Sequence, residues 1–130
     1  MTIFSKIIAG EIPSYKIAEN DSFYAFLDIS PLAKGHTLVV PKQEIDYIFD
    51  LNTSVYHGLF DFAKTIAGAI KETMNCKRVG IAVIGLDVPH CHIHLVPLNE
   101  ANDINFAKEH LQLHAEEMHA IAEAIRSKIL

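Results

Sequence analysis

Residues 89–97 read P-H-C-H-I-H-L-V-P, with His90, His92 and His94 at every second position. On an extended strand alternate side chains share a face, so the three imidazoles point one way while Cys91, Ile93 and Leu95 point the other. Each imidazole brings a donor and an acceptor that need partners when buried, which makes a row of three a poor choice for packing alone. A structural role is the plainest reading. A second is metal binding, because H-x-H on a strand can offer two neutral imidazoles to one Zn²⁺, with His36 as a third ligand. In a third reading one neutral nitrogen attacks phosphorus while its neighbours hold the oxygens, a task suited to a group with an ordinary pKa of about 6.5. The outer two histidines would stand roughly 13 Å apart on a strand, too wide for one small ion, whereas adjacent members can share a phosphate. Spacing alone leaves metal and phosphate open.

These residues need a scaffold, and the chain of 130 residues, 50% of them hydrophobic, is long enough to bury one core without staples. No repeat or low-complexity linker divides it, so a single domain over residues 1–130 is expected. Cys76 and Cys91 form no C-x-x-C pair, which argues against a disulfide framework or a cysteine zinc knuckle. The formal charge of −5 argues against general affinity for nucleic-acid backbone. The absence of a leader-like start or a membrane-length apolar run makes a cytoplasmic, membrane-free protein the expectation.

Periodicity supplies the elements. IFSKII at 3–8 reads as a helix stopped by Gly10 and Pro13. The runs at 14–19 and 22–29 read as two strands about a turn at Asn20 and Asp21, the second ended by Pro31, and 36–41 as a third strand with His36 at its start. One or two helical turns are expected at 44–49. From Thr53 to Met74 the apolar positions Val55, Leu59, Phe62, Ile66, Ile70 and Met74 predict a long amphipathic helix, with Asn52 or Thr53 as cap and Asn75 as stop. Residues 77–85 and 91–98 read as two strands joined by a short link, hence antiparallel. Met118, Ile121, Ala122, Ile125 and Ile129 predict a C-terminal helix near 115–129. The expected class is α+β, with about five mainly antiparallel strands, one long helix on a face and a C-terminal helix.

The segment H-C-H-I-H-L-V, together with IFSKIIAGEIP, FYAFLDISPLAKGHTLVVPK and the long helix in the same order, resembles the histidine-triad (HIT) family, in particular its Hint-like branch. The resemblance spans roughly residues 3–98 and leaves 99–130 as an extension. It implies the HIT-like fold and a hydrolase or transferase acting at the α-phosphate of purine nucleoside 5′-monophosphate derivatives, of phosphoramidate or dinucleotide type, through a nucleotidyl-histidine. His92 is then the nucleophile, His94 contacts phosphate oxygens, His90 orients the array and His36 lies beside it. Asp28 would hold the ribose hydroxyls, and Phe4, Ile7, Ile29 and Leu38 the base, with Ile3 in the same nucleotide-binding set. Phe4, Ile7 and Leu38 suit an ordinary core equally well, and Asp28 before Ile29-Ser30-Pro31 also suits a turn. A homodimer is implied, with the long helix and the strand after residue 77 as contacts. A purine nucleotide is the implied small-molecule partner, and no cofactor is required.

Two departures from the family stand out. Many bacterial relatives hold a structural zinc through an early C-x-x-C, a histidine after the third strand and a triad-region histidine. Here Thr2, Ser5 and Glu44 occupy three of those places, and hydroxyls are poor Zn²⁺ ligands, so no structural zinc is expected. Before the triad, relatives often carry G-Q-[ST]-V, whereas this chain has Leu86 and Asp87 at the polar pair. An ionised Asp87 would repel a phosphate, and a protonated one could act as a general acid. The alternative function is therefore a nucleotide-binding or scaffold module with little catalysis, and the third is a metal-dependent hydrolase.

Overall fold

Strand β2, Phe23–Leu27, buries every residue, but into two different cores. Phe23, Ala25 and Leu27 join the larger cluster, while Tyr24 and Phe26 join the smaller one, as the two-residue period of a strand requires when both faces are covered. The computed structural model describes residues 1–129. Within it β1 (Lys16–Glu19), β2, β3 (Thr37–Pro41), β4 (Arg78–Ala82) and β5 (Ile93–Leu98) form one 5-stranded sheet. The order is β1-β2-β3-β5-β4 and every pairing is antiparallel, which confirms the α+β class.

The larger face is closed by α2, Thr53–Thr73, and α3, Ala115–Arg126. The Asn52 side chain caps α2 by accepting the Val55 N–H at 2.9 Å. Its buried residues Leu59, Ala63, Ile66, Ala69 and Ile70 fall on one stripe, and Met118, Ala122 and Ile125 form the matching stripe of α3. At Gly58 the helix comes so close to the sheet that an added Cβ would lie 2.8 Å from the Phe23 ring. The smaller face carries α1, Ile3–Ile8, whose Phe4 and Ile7 pack on Tyr24, Phe26, Leu38 and Val40. So short a helix depends on its capping and packing. The Thr2 hydroxyl accepts the Ser5 N–H, and Gly10 ends the helix in the left-handed region at φ 82.

Several boundaries differ from the expectation, and hydrogen bonds explain why. β2 stops at Leu27, well before Pro31: the Asp28 N–H still bonds across to the His36 carbonyl, but the His36 N–H donates to the Ala33 carbonyl and the Asp28 carboxylate accepts the Ser30 N–H, turning the chain away. His36 precedes β3 instead of starting it. Of the 44–49 segment only Ile48 and Phe49 are helical, in a 3-10 turn, Ile48–Asp50, that runs one residue past it. α2 ends with Met74 as its cap in extended conformation, not at Asn75, and α3 ends at Arg126, short of 129. β4 ends at Ala82 and β5 starts at Ile93, so the link covers 83–92 and is not short. The N–H groups of His90 and Cys91 donate to the Val88 and Ile45 carbonyls, which keeps both residues out of the ladder. Among the described residues no helix is long and apolar enough to cross a membrane.

Candidate functional site

His94 is the one triad histidine inside β5, where it pairs in register with Leu38 of β3. Ile93 and Leu95 point into the larger core, so His94 and Leu38 stand side by side on the opposite face, beneath α1. His90 and His92 continue the row in extended chain beyond the ladder. The sequence reading of one uninterrupted strand is thereby corrected: side-chain hydrogen bonds hold the first two imidazoles.

Those bonds fix each tautomer. His92 Nδ1 lies 2.8 Å from the His90 carbonyl oxygen, which can only accept, so the ring proton sits on Nδ1 and Nε2 keeps its lone pair. His36 Nδ1 accepts the Leu32 N–H at 3.0 Å, so its proton is on Nε2 and points 3.0 Å to His94 Nδ1. His94 consequently carries its own proton on Nε2. His90 Nε2–H donates to the Pro41 carbonyl at 2.8 Å, and its Nδ1 accepts from the Thr2 hydroxyl at 2.8 Å. The row therefore combines one free nitrogen lone pair, on His92, with an N–H donor on its neighbour His94.

Burial keeps three of these rings uncharged. It pushes His36 down to about 3, with neighbouring His94 adding to the effect, and His94 down to about 4, with His92 adding. His92 is also held below the ordinary histidine value, chiefly by burial and partly offset by its hydrogen bond to the His90 carbonyl. A neutral His92 is what a nitrogen nucleophile requires near pH 7. Burial raises Asp28 above its ordinary value, the Ser30 N–H opposing it. One Asp28 oxygen lies 3.6 Å from His36 Nε2.

A cavity of about 430 Å³ opens over this face, within the roughly 300–1,000 Å³ typical of small-molecule sites. Its apolar wall includes Ile3, Phe4, Ile7, Ile29 and Leu38, and its polar floor includes Asp28, His92 and His94, with Asp87 at the rim. Phe4 stands edge-on to His92, ring centroids 4.9 Å apart, so it serves the small core and the cavity at once. Asp28 likewise shapes its turn and lines the cavity. His36 and His90, both fully buried, lie behind the wall and act only through other groups. Leu86, beside Asp87, is 87% exposed.

Among the lining residues that escaped the sequence reading are Phe106 and His110, both in the tail. The Phe106 ring meets His94 edge-on with centroids 4.7 Å apart and His36 at 6.1 Å. The only signal in the sequence is an aromatic residue alone in a polar run, N-F-A-K-E-H. The tail is anchored where the Leu111 N–H donates to the Pro31 carbonyl at 2.8 Å.

Thr2, Ser5, Glu44 and His90 also meet. The Thr2 N–H and the Ser5 hydroxyl both donate to Glu44 Oε1 at 2.7 Å, and these bonds, the Ser5 one foremost, hold the Glu44 carboxyl down to about 2. Two hydroxyls, a carboxylate and an imidazole already bonded to one another do not make a zinc-type donor set. Among the described residues the grouping best spaced for a metal is Asp28, His36 and His94, with ligand atoms within 4.8 Å of one another. Its two imidazoles are already hydrogen-bonded to each other.

The HIT domain family matches residues 9–101. The chain is 33% identical over 135 residues to a HIT-like protein of Borreliella burgdorferi, covering 98% of this chain and 97% of that protein. It is 34% identical over 129 residues to an adenosine 5′-monophosphoramidase of Schizosaccharomyces pombe, with 98% and 97% covered. A crystal structure of a HIT-like protein involved in cell-cycle regulation from Bartonella henselae superposes with a TM-score of 0.85 at 30% identity, covering 98% of this chain and 96% of that one.

Proposed function

This chain belongs to the HIT domain family, and from that premise we propose that it hydrolyses purine nucleoside 5′-phosphoramidates or related α-phosphate derivatives through a nucleotidyl-histidine. The observation that carries the reading is the tautomer of His92: its Nδ1 proton is committed to the His90 carbonyl, so the Nε2 lone pair is free for attack. In the first step Nε2 bonds to phosphorus, the bond from phosphorus to the leaving amine breaks, and the amine departs with a proton taken from solvent, which the attacking water of the second step returns. In the second step water attacks phosphorus, the bond to His92 breaks, and the nucleoside monophosphate leaves. The His94 Nε2–H stabilises the oxygens in both steps. Asp28 accepts from the ribose hydroxyls, and Phe4, Ile7 and Leu38 flank the base. No resident metal takes part, and Thr2, Ser5 and Glu44 tie the start of α1 to the segment after β3 through their own hydrogen bonds.

The S. pombe relative named as an adenosine 5′-monophosphoramidase supports the substrate class. A homodimer fits the edge position of β4, whose Ile81 is 56% exposed. The altered link, with Leu86 and Asp87 exposed at the cavity rim, favours a second reading as a nucleotide-binding module of low turnover. Turnover of adenosine 5′-phosphoramidate with excess chelator, with His92→Asn alongside, separates the readings. Turnover that survives chelation and vanishes in the variant is expected. Folded wild-type protein that binds the monophosphate without turnover would support the binding module, and activity abolished by chelator and restored by Zn²⁺ would support a metal-dependent hydrolase.

A further inference from the structure

The tail histidine His110 has a carbonyl oxygen at each ring nitrogen. Nδ1 lies 2.6 Å from the Ser30 oxygen and Nε2 lies 3.2 Å from the Phe106 oxygen. Carbonyls only accept, and a neutral imidazole has only one N–H, so both bonds exist together only in the imidazolium. The two acceptors belong to opposite walls of the cavity: Ser30 sits in the turn that shapes Asp28, and Phe106 touches His94. We propose that His110, as an imidazolium, is a positioning residue that clamps residues 105–111 to the 28–31 turn and so sets the affinity for the nucleotide. The proposal rests on the phosphoramidase reading only for its kinetic consequence.

The surrounding charges favour the clamped form. The Ser30 carbonyl, then the Phe106 carbonyl, hold His110 above the ordinary histidine value, and Asp28 across the cavity adds to the effect. Lys108 on the same segment opposes it, but its ammonium is drawn off toward Asp103 at 3.9 Å. Nearby, His36 is pushed further toward neutral by His110, and His92 is held neutral by burial, so neither competes for the charge. His110 in turn opposes the upward push of burial on Asp28, favouring the carboxylate that ribose hydroxyls need. Because the folded pKa is raised, the clamp is complete below the ordinary histidine pKa and opens as pH rises through the raised value.

Two measurements on wild type and His110→Gln test the clamp, one of them independent of turnover. Hydrogen exchange at the Leu111 amide, corrected for intrinsic rate, reads whether the tail is held; kcat and KM for adenosine 5′-phosphoramidate are followed over the same pH series. In wild type KM should rise on the order of tenfold as pH passes the His110 titration, the size of a lost charge-assisted hydrogen bond. In His110→Gln the high KM should hold at every pH, with kcat within about twofold and Leu111 protection reduced on the order of tenfold. A pH-independent wild-type KM, or Leu111 protection unchanged in the variant, would overturn the clamp. Wild-type protein without turnover would sink the phosphoramidase reading instead, leaving Leu111 exchange to decide on His110.

Discussion

The two ends of the histidine row are held by opposite means. His90 lies outside the sheet ladder, fixed by the Pro41 carbonyl and the Thr2 hydroxyl, and through Thr2 it is tied to the start of α1 and to Glu44. His94 lies inside the ladder, fixed by His36 behind it and by the Phe106 ring beside it. His92 draws on both ends: it takes its tautomer from the His90 carbonyl and stands 4.9 Å, ring to ring, from His94. In the proposed mechanism the first end supplies geometry, and the second supplies the donor that meets charge as it develops. Perturbing the first should cost stability, and perturbing the second should cost rate.

The largest effect belongs to the residue between them. His92→Asn should lower kcat by about 10⁴-fold or more, the scale seen when a nucleophile is removed, while nucleotide affinity stays close to wild type. His94→Ala should lower kcat by about 10²- to 10³-fold, as removal of one oxyanion donor does. Unfolding by urea between pH 8 and pH 4 probes the second end differently. His36 and His94 are depressed to about 3 and about 4, so their contribution is complete above the unfolded-state pKa of about 6.5 and is lost as pH falls below it. The urea midpoint should fall steadily over that acid range, and less steeply in His36→Gln. At the first end, Thr2→Val leaves the buried His90 Nδ1 without a donor. It should cost about 1–3 kcal/mol in unfolding free energy with only a few-fold loss of kcat. If Thr2→Val cost as much rate as His94→Ala, the division of labour between the two ends would be wrong.

The same contrast explains what could be read in the sequence. Residue pattern marked the elements that bury apolar side chains: the stripe of Leu59, Ile66 and Ile70 in α2, and the β-prone runs of β2 and β3, whose side chains divide between two covered faces. The cavity residues Ile3, Phe4, Ile7, Asp28, Ile29 and Leu38 came from the family resemblance, and all of them line one space. Positions governed by hydrogen bonds between distant polar groups were not legible. The start of β5 moved because His90 bonds to Pro41 and Cys91 to Ile45, neither of which has a local signature. Phe106 and His110 stayed hidden because the tail has no periodicity until α3, and its place is set by two carbonyls far back in the chain. Gly35 shows a related limit: its φ of 97 and the approach of Met74, 2.8 Å from an added Cβ, hold the chain just before His36. A lone glycine in a loop announces neither.

Mass spectrometry of enzyme mixed with adenosine 5′-phosphoramidate and chelator, then quenched in alkali within a turnover, tests covalent chemistry at His92 most directly. An adenylyl group on His92, absent from His92→Asn and lost on further incubation with release of the monophosphate, is the predicted result. Turnover with no adduct on His92 at any time, or an adduct on another residue, would contradict it.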